Sequence, residues 1–209
     1  MKRKPLTLLL LVLGVLATPA YAQKKGYSKG YVITFEGDTL QGLLKDRSSG
    51  SFMELYTKIR FKSKKPRRKR KFGADDIQGY GFKDQYFESV PLQEEASFFK
   101  FSYYTNNSSK RVFLKVIEKN QYLTYYHWEF VQDDNSYLDY VPLFHLHKKN
   151  EMARVTQGIF GLKRKRLAAY FQDCPELVNG IKRKELNTAL EVFTFYTDTC
   201  SATKLLTKN

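Results

Sequence analysis

The chain has 209 residues, with 36 Lys and Arg against 21 Asp and Glu, for a formal net charge of +15. That length holds one domain with a sizeable core and excludes two large independent ones. With 16 Phe, 15 Tyr and 42% hydrophobic residues, the chain is too apolar to be disordered throughout, and its aromatics suit a pleated, half-buried surface.

The first elements in chain order form a leader. Met1-Lys2-Arg3-Lys4 is a positive start, Leu8 to Ala17 an apolar core, and Ala20-Tyr21-Ala22 a small-x-small cleavage site. This pattern predicts a secretory signal peptide over residues 1–22, cut after Ala22. The apolar run is shorter than the roughly 20 residues of a membrane span, and no transmembrane segment is expected in the mature chain. Gln23 stands where a bacterial lipoprotein would carry its acylated Cys, so a lipid anchor is not expected. Export places the protein in the periplasm, on the outer-membrane surface or outside the cell. The leader holds three of the 36 basic residues, which leaves 33 against 21 acidic groups and a mature charge of +12. Outside the cytoplasm the partners for such a charge are anionic lipid headgroups and acidic glycans rather than nucleic acid.

From residue 23 to 158 the sequence predicts an antiparallel β-rich domain. Tyr31 to Phe35 and Leu40 to Leu44 flank Glu36-Gly37-Asp38-Thr39 as a hairpin, with Gly37 supplying the positive φ of a tight turn. Phe52 to Phe61 is a third run. Ile77 to Phe82 and Gln85 to Val90 flank Lys83-Asp84. Phe98 to Tyr104 and Arg111 to Glu118 flank a polar loop at 105–109, and Gln121 to Phe130 and Tyr137 to His147 flank another at 132–136. Such spacing reads as a curled meander or partial barrel of about eight to ten strands. Residues 159–200 change character and predict two or three short helices packed on it. Leu167, Tyr170 and Phe171 share one helical face, Pro175 opens a second helix carrying Leu177, Val178 and Ile181, and Asn187 is placed to cap a third. The third would bury Leu190, Phe193 and Tyr196 or Val192. Residues 201–209 read as a frayed tail.

The two cysteines, Cys174 and Cys200, stand at the start of the second helix and after the third. In an oxidising compartment they are a candidate disulfide, with two free thiols as the alternative.

The opening Gly30-Tyr31-Val32-Ile33-Thr34 with Gly37-Asp38-Thr39, the segment Asp76-Ile77-Gln78-Gly79-Tyr80, and the closing Leu167-Ala168-Ala169-Tyr170-Phe171-Gln172-Asp173-Cys174-Pro175-Glu176-Leu177 together resemble a group of uncharacterised exported bacterial proteins. The resemblance implies a β-rich body with a helical end and carries no activity.

Among candidate sites, Arg60 to Lys71 places nine basic residues in twelve positions: Arg60, Lys62, Lys64, Lys65, Arg67, Arg68, Lys69, Arg70 and Lys71. Pro66 interrupts strand pairing, so the run reads as a hairpin end or loop, either simply solvated or anchoring the protein to an anionic envelope surface. Lys163-Arg164-Lys165-Arg166 is a smaller basic group. His145-Leu146-His147 puts two imidazoles on one strand face, and Glu151 follows, a spacing that resembles part of the first cupin motif and makes His145, His147 and Glu151 a candidate metal set. Asp139 stands where that motif has glycine, and no later His completes a second motif. If Tyr122, Tyr126, Trp128 and Tyr140 shared an outer face they would form a stacking platform for sugars. No catalytic residues are assigned and no cofactor is implied. Three functions remain open: an exported non-catalytic binder of an anionic envelope component, a lipid or small-ligand carrier with a barrel-like cavity, and a metal-dependent enzyme built on the His-x-His pair.

Overall fold

The structure, a computed structural model, describes residues 26–47, 58–63, 68–98, 100–131, 138–156 and 161–201. The leader, the loop at 132–136 and the tail beyond residue 201 lie outside the described residues, as do Lys64, Lys65 and Arg67.

The body is a single antiparallel sheet of twelve strands: β1 (Ser28–Ile33), β2 (Thr39–Lys45), β3 (Lys58–Ser63), β4 (Lys69–Gly73), β5 (Gly79–Phe82), β6 (Gln85–Pro91), β7 (Gln93–Ser97), β8 (Lys100–Tyr104), β9 (Arg111–Lys119), β10 (Leu123–Val131), β11 (Leu138–Leu146) and β12 (Glu151–Arg154). Twelve strands exceed the eight to ten expected, because Lys69–Gly73, Gln93–Ser97 and Glu151–Arg154 each form a strand of their own. The order is β4-β3-β2-β1-β5-β6-β9-β10-β11-β12-β8-β7, so among the described residues the ladder stays open with β4 and β7 as its edges, and the partial barrel is not formed.

Local turns explain most neighbours. Gly37 takes φ +92° between β1 and β2, and Lys83 and Asp84 both take positive φ between β5 and β6, the pair of conformations that a two-residue hairpin turn requires. One expected hairpin is wrong. Phe98 to Tyr104 does not pair with Arg111 to Glu118: β9 returns to β6, while β8 pairs with β12 and β7. Leu92 alone links β6 to β7, although five strands separate them in the ladder.

Three apolar clusters follow from the alternation of side chains along these strands. Val32, Leu44, Ile59, Phe61, Tyr80, Phe87 and Phe113 form the first. Gly42 yields its space there, because a Cβ would lie 2.6 Å from the Phe61 ring and 2.3 Å from the Lys62 carbonyl oxygen. Val90, Leu92, Tyr103, Leu114, Tyr126, Leu143 and Met152 form a second, drawn from β6 and β8 to β12. The third joins Leu123, Tyr125, Phe144, Leu146, Ala153 and Val155 to the helices.

Those helices are α1 (Arg164–Tyr170), α2 (Pro175–Lys182) and α3 (Ala189–Phe195), followed by a π-helical turn at Tyr196–Ser201. Leu167, Tyr170 and Phe171 are buried as expected, as are Leu177 and Ile181, and Pro175 opens α2. The cap of α3 is Thr188 rather than Asn187: its hydroxyl accepts from the Glu191 backbone and Glu191 reaches back to the cap, a capping box. Leu190 is exposed, and Val192, Phe193 and Tyr196 take the core positions. The Tyr170 hydroxyl accepts from Leu146 N at 2.8 Å and donates to the Glu151 carbonyl at 2.9 Å, so α1 satisfies backbone groups where β11 turns into β12. Cys174 and Cys200 are joined in a disulfide across a separation of 26 residues. Among the described residues no helix is long and apolar enough to cross a membrane.

Closing a loop of that length stabilises by about 3.5 kcal/mol in the chain-entropy account. Replacing both cysteines with Ser is therefore expected to lower the melting temperature by roughly 7–14 °C, at about 2–4 °C per kcal/mol for a chain of this size. Calorimetry with and without the bond checks this. A Thr188→Ala change, which removes only the cap, is expected to cost about 1 kcal/mol.

Candidate anion-binding face

The hairpin of β3 and β4 carries the described part of the basic run. Its register sets Arg60 opposite Lys71 and Lys62 opposite Lys69. Residues directly opposite in an antiparallel pair share a face, so these four cations stand together, while Ile59 and Phe61 point the other way into the core. The neighbouring strands extend the array. Lys45 on β2 lies opposite Arg60, and Lys29 on β1 lies opposite Leu43, which in turn faces Lys62.

Six cations, Lys29, Lys45, Arg60, Lys62, Lys69 and Lys71, thus share one face of β1 to β4, and exposed Lys58, two residues before Arg60, stands on it as a seventh. Rows are about 4.8 Å apart and alternate positions along a strand roughly 6.7 Å apart. None of the six has an acidic partner among the described residues. The Lys62 ammonium sits 3.5 Å above the Tyr27 ring. Tyr27, Arg60, Phe61, Lys62 and the β4 segment Lys69, Arg70 and Lys71 line a surface cleft of about 430 Å³. Arg70 projects to the opposite face of β4, opposite Phe61, and Arg68 precedes the strand, where its N–H donates to the Ser63 hydroxyl. Lys29, Lys45 and Tyr27 were missed by sequence reasoning. Their signal was the period-2 alternation of β1 and β2, which becomes useful only once the register is known.

The second basic group does not join this face. Arg164 donates to the Ile181 and Leu186 carbonyls at 3.0 and 2.7 Å, which serves the end of α2. Arg166 donates to the Phe101 carbonyl and pairs with Glu151. These contacts belong to the helices and the β8–β12 end of the ladder, far along the strand order from β3 and β4.

The His pair is adjacent, with ring centroids 5.7 Å apart, but three of its four ring nitrogens already have partners. His147 Nδ1 lies 3.0 Å from the Gln121 carbonyl and Nε2 2.8 Å from the Thr124 hydroxyl, and His145 Nε2 lies 3.1 Å from the Lys149 carbonyl. Glu151, the expected third ligand, pairs with Arg166 instead. Among the described residues no group of three His, Cys, Asp or Glu is placed to hold a metal ion. The aromatic platform does not form either: Tyr126 is buried and Trp128 packs against the β6–β12 cluster, while Tyr140 is exposed and stacks on His127 at 3.8 Å. Leu114, Tyr126, Leu143 and Met152 pack against one another in the cluster of β9 to β12.

Sequence reasoning also missed a buried polar network. Arg47, just after β2, donates to Glu129 on β10 at 2.8 Å, to the Phe113 carbonyl at 3.4 Å and to Asp46 at 3.3 Å. Its guanidinium lies 4.7 Å over the Phe87 ring. The Tyr80 hydroxyl donates to Asp46, and Lys115 stands 3.7 Å from Glu129. Burial works against the Arg47 charge while Tyr80, Asp46 and Glu129 hold it, and the balance lies above the ordinary arginine value. Burial likewise pushes Tyr80 well above the usual phenol range.

Comparison with known protein families, curated proteins and solved structures finds no match. The geometry above therefore carries the functional reading by itself.

Removing one member of a buried ion pair strands the other charge, so Arg47→Ala is expected to lower unfolding free energy by about 3–5 kcal/mol. Replacing Arg47 with Met and Glu129 with Leu together should recover much of that loss, as read from urea unfolding. His127 supplies a pH test. Burial, then the Lys115 charge, lowers its pKa to about 4, below the ordinary 6.5. The neutral ring is favoured in the fold, so its contribution is present above pH 6.5 and is lost as pH falls toward 4. The urea midpoint is expected to drop across that window, and a His127→Gln variant to drop less.

Proposed function

We propose that this is an exported, non-catalytic protein that binds an anionic component of the cell envelope, a lipid headgroup or an acidic glycan, through the solvent face of β1 to β4. The observation that carries this reading is the direct opposition of like charges: Lys45 with Arg60, Arg60 with Lys71, and Lys62 with Lys69. Each such pair destabilises a sheet by a few tenths of a kcal/mol up to about 1 kcal/mol. The fold gains nothing from them, and the same face offers Leu43 at 37% exposure between its cations. A grid of uncompensated positive charge around an apolar spot suits a surface or polymer of repeated negative charge. Export supplies the setting, because the leader-like N-terminus directs the chain to where such polymers are abundant.

Binding through this face has a defined signature. Each cation near an anionic lipid surface contributes on the order of 1 kcal/mol, and the contribution fades as added salt shortens the Debye length from about 10 Å at 0.1 M to about 3 Å at 1 M. Cosedimentation of the purified protein with phosphatidylglycerol vesicles, against neutral phosphatidylcholine vesicles and a heparin column, is expected to show salt-sensitive binding. A variant with Arg60, Lys62, Lys69 and Lys71 changed to Ser should bind at least a hundredfold more weakly. Binding that ignores salt, or that survives in the variant, refutes the reading.

A further inference from the structure

The open ladder leaves two edges of opposite charge. β4 ends it on one side with Lys69, Arg70 and Lys71, all exposed. β7 ends it on the other with Gln93, Glu94, Glu95, Ala96 and Ser97, all exposed. Neither Glu94 nor Glu95 has a cationic partner among the described residues, and Glu95 accepts only from the exposed Gln93 amide, at 3.0 Å. An edge strand presents unpaired backbone groups to any incoming strand, and charge on the edge is the usual guard. A basic edge repels another basic edge, and an acidic edge another acidic one. Neither guard works against the opposite edge.

We propose that β4 of one molecule pairs with β7 of a second copy of this chain. Glu94 shares the sheet face of Lys69 and Lys71, and Glu95 that of Arg70, so antiparallel addition that sets Arg70 opposite Glu95 also sets Lys71 opposite Glu94 and Lys69 opposite Ala96. Alternation then places the first pair on one face of the joint and the other two on the opposite face, so both faces carry a cation against a carboxylate. The contact is heterologous: after two molecules join, one β7 and one β4 remain free, and the assembly continues rather than closing as a dimer. Net charge opposes approach at long range, but at about 0.15 M salt the Debye length is about 8 Å, which screens the distant charges more than the touching pairs. The joint does not depend on the anion-binding reading, because β7 takes no part in the cationic face.

Sedimentation velocity over a wide range of protein concentration tests it. The weight-average mass is expected to rise steadily past that of a dimer. A variant with Glu94→Lys and Glu95→Lys should remain monomeric while still binding anionic vesicles. A second variant with Lys69→Glu, Arg70→Glu and Lys71→Glu should also remain monomeric, yet mixing the two variants should restore growth, because each now offers the edge the other lacks. Recovery in the mixture shows that both variants fold. A measurement on the unaltered protein stands beside this: carbodiimide treatment of mixed isotope-labelled and unlabelled chains should join Lys69 or Lys71 of one to Glu94 of the other. Unaltered protein that stays monomeric or stops at a dimer, a mixture that stays monomeric, or the lack of those cross-links overturns the proposal.

Discussion

A single buried cation sets the terms for this fold. Arg47 leaves the end of β2 and reaches Glu129 on β10, past four strands of the ladder, with Phe113 and Phe87 as its walls. A guanidinium taken out of water is tolerated only where its donors are met and its charge is balanced. Asp46, Glu129 and the Phe113 carbonyl meet those needs together, and only when the β1–β5 part of the sheet lies close against β9 and β10. The apolar cluster of Tyr80, Phe87 and Phe113 is packed around the same point, with Tyr80 stacked 4.7 Å from Phe87 and edge-on to Phe113 at 4.9 Å. The position of β2, and with it the β3–β4 hairpin, is therefore fixed by an electrostatic demand as much as by hydrophobic burial.

The two sides of that hairpin treat charge in opposite ways. On the core side Arg47 is fully engaged, and the Phe61 ring fills the space that Gly42 leaves. On the solvent side cations face cations with no carboxylate between them. This contrast separates a structural use of charge from one directed outward. The helical end follows the first pattern: Arg164 meets the carbonyls at the end of α2, Tyr170 bridges β11 and β12, and the disulfide holds the first turn of α2 to the turn after α3.

What could be read from the sequence was what depends on neighbours in the chain. Gly37, the Lys83-Asp84 turn, the opening of α2 at Pro175 and the mainly β body with a helical end are all local, and each follows from turn chemistry or periodicity. The pairing of β8 with β12 was hidden because nothing near residue 100 encodes a partner near residue 151, and the polar loop at 105–109 imitated a hairpin turn. The same limit applied to the site. Arg60 to Lys71 stood out as a run, but Lys29 and Lys45 join it only through ladder register, and Arg47 gave no signal because its partners Phe113 and Glu129 lie 66 and 82 residues away. The His pair misled in the other direction, since spacing showed two imidazoles on one face but not the carbonyl and hydroxyl groups that occupy them.

The ladder order also bears on how the chain assembles as it is made. β6 finds β5 as soon as both exist, whereas β7 and β8 emerge directly after it and have no partner but each other until β12 appears about fifty residues later. Contacts that span such distances form late, after the loop-closure entropy between them has been overcome. During that interval the β7–β8 hairpin, tied to β6 by Leu92 alone, exposes its unmatched side to the surroundings, so this stretch is the one that a chaperone would have most reason to hold.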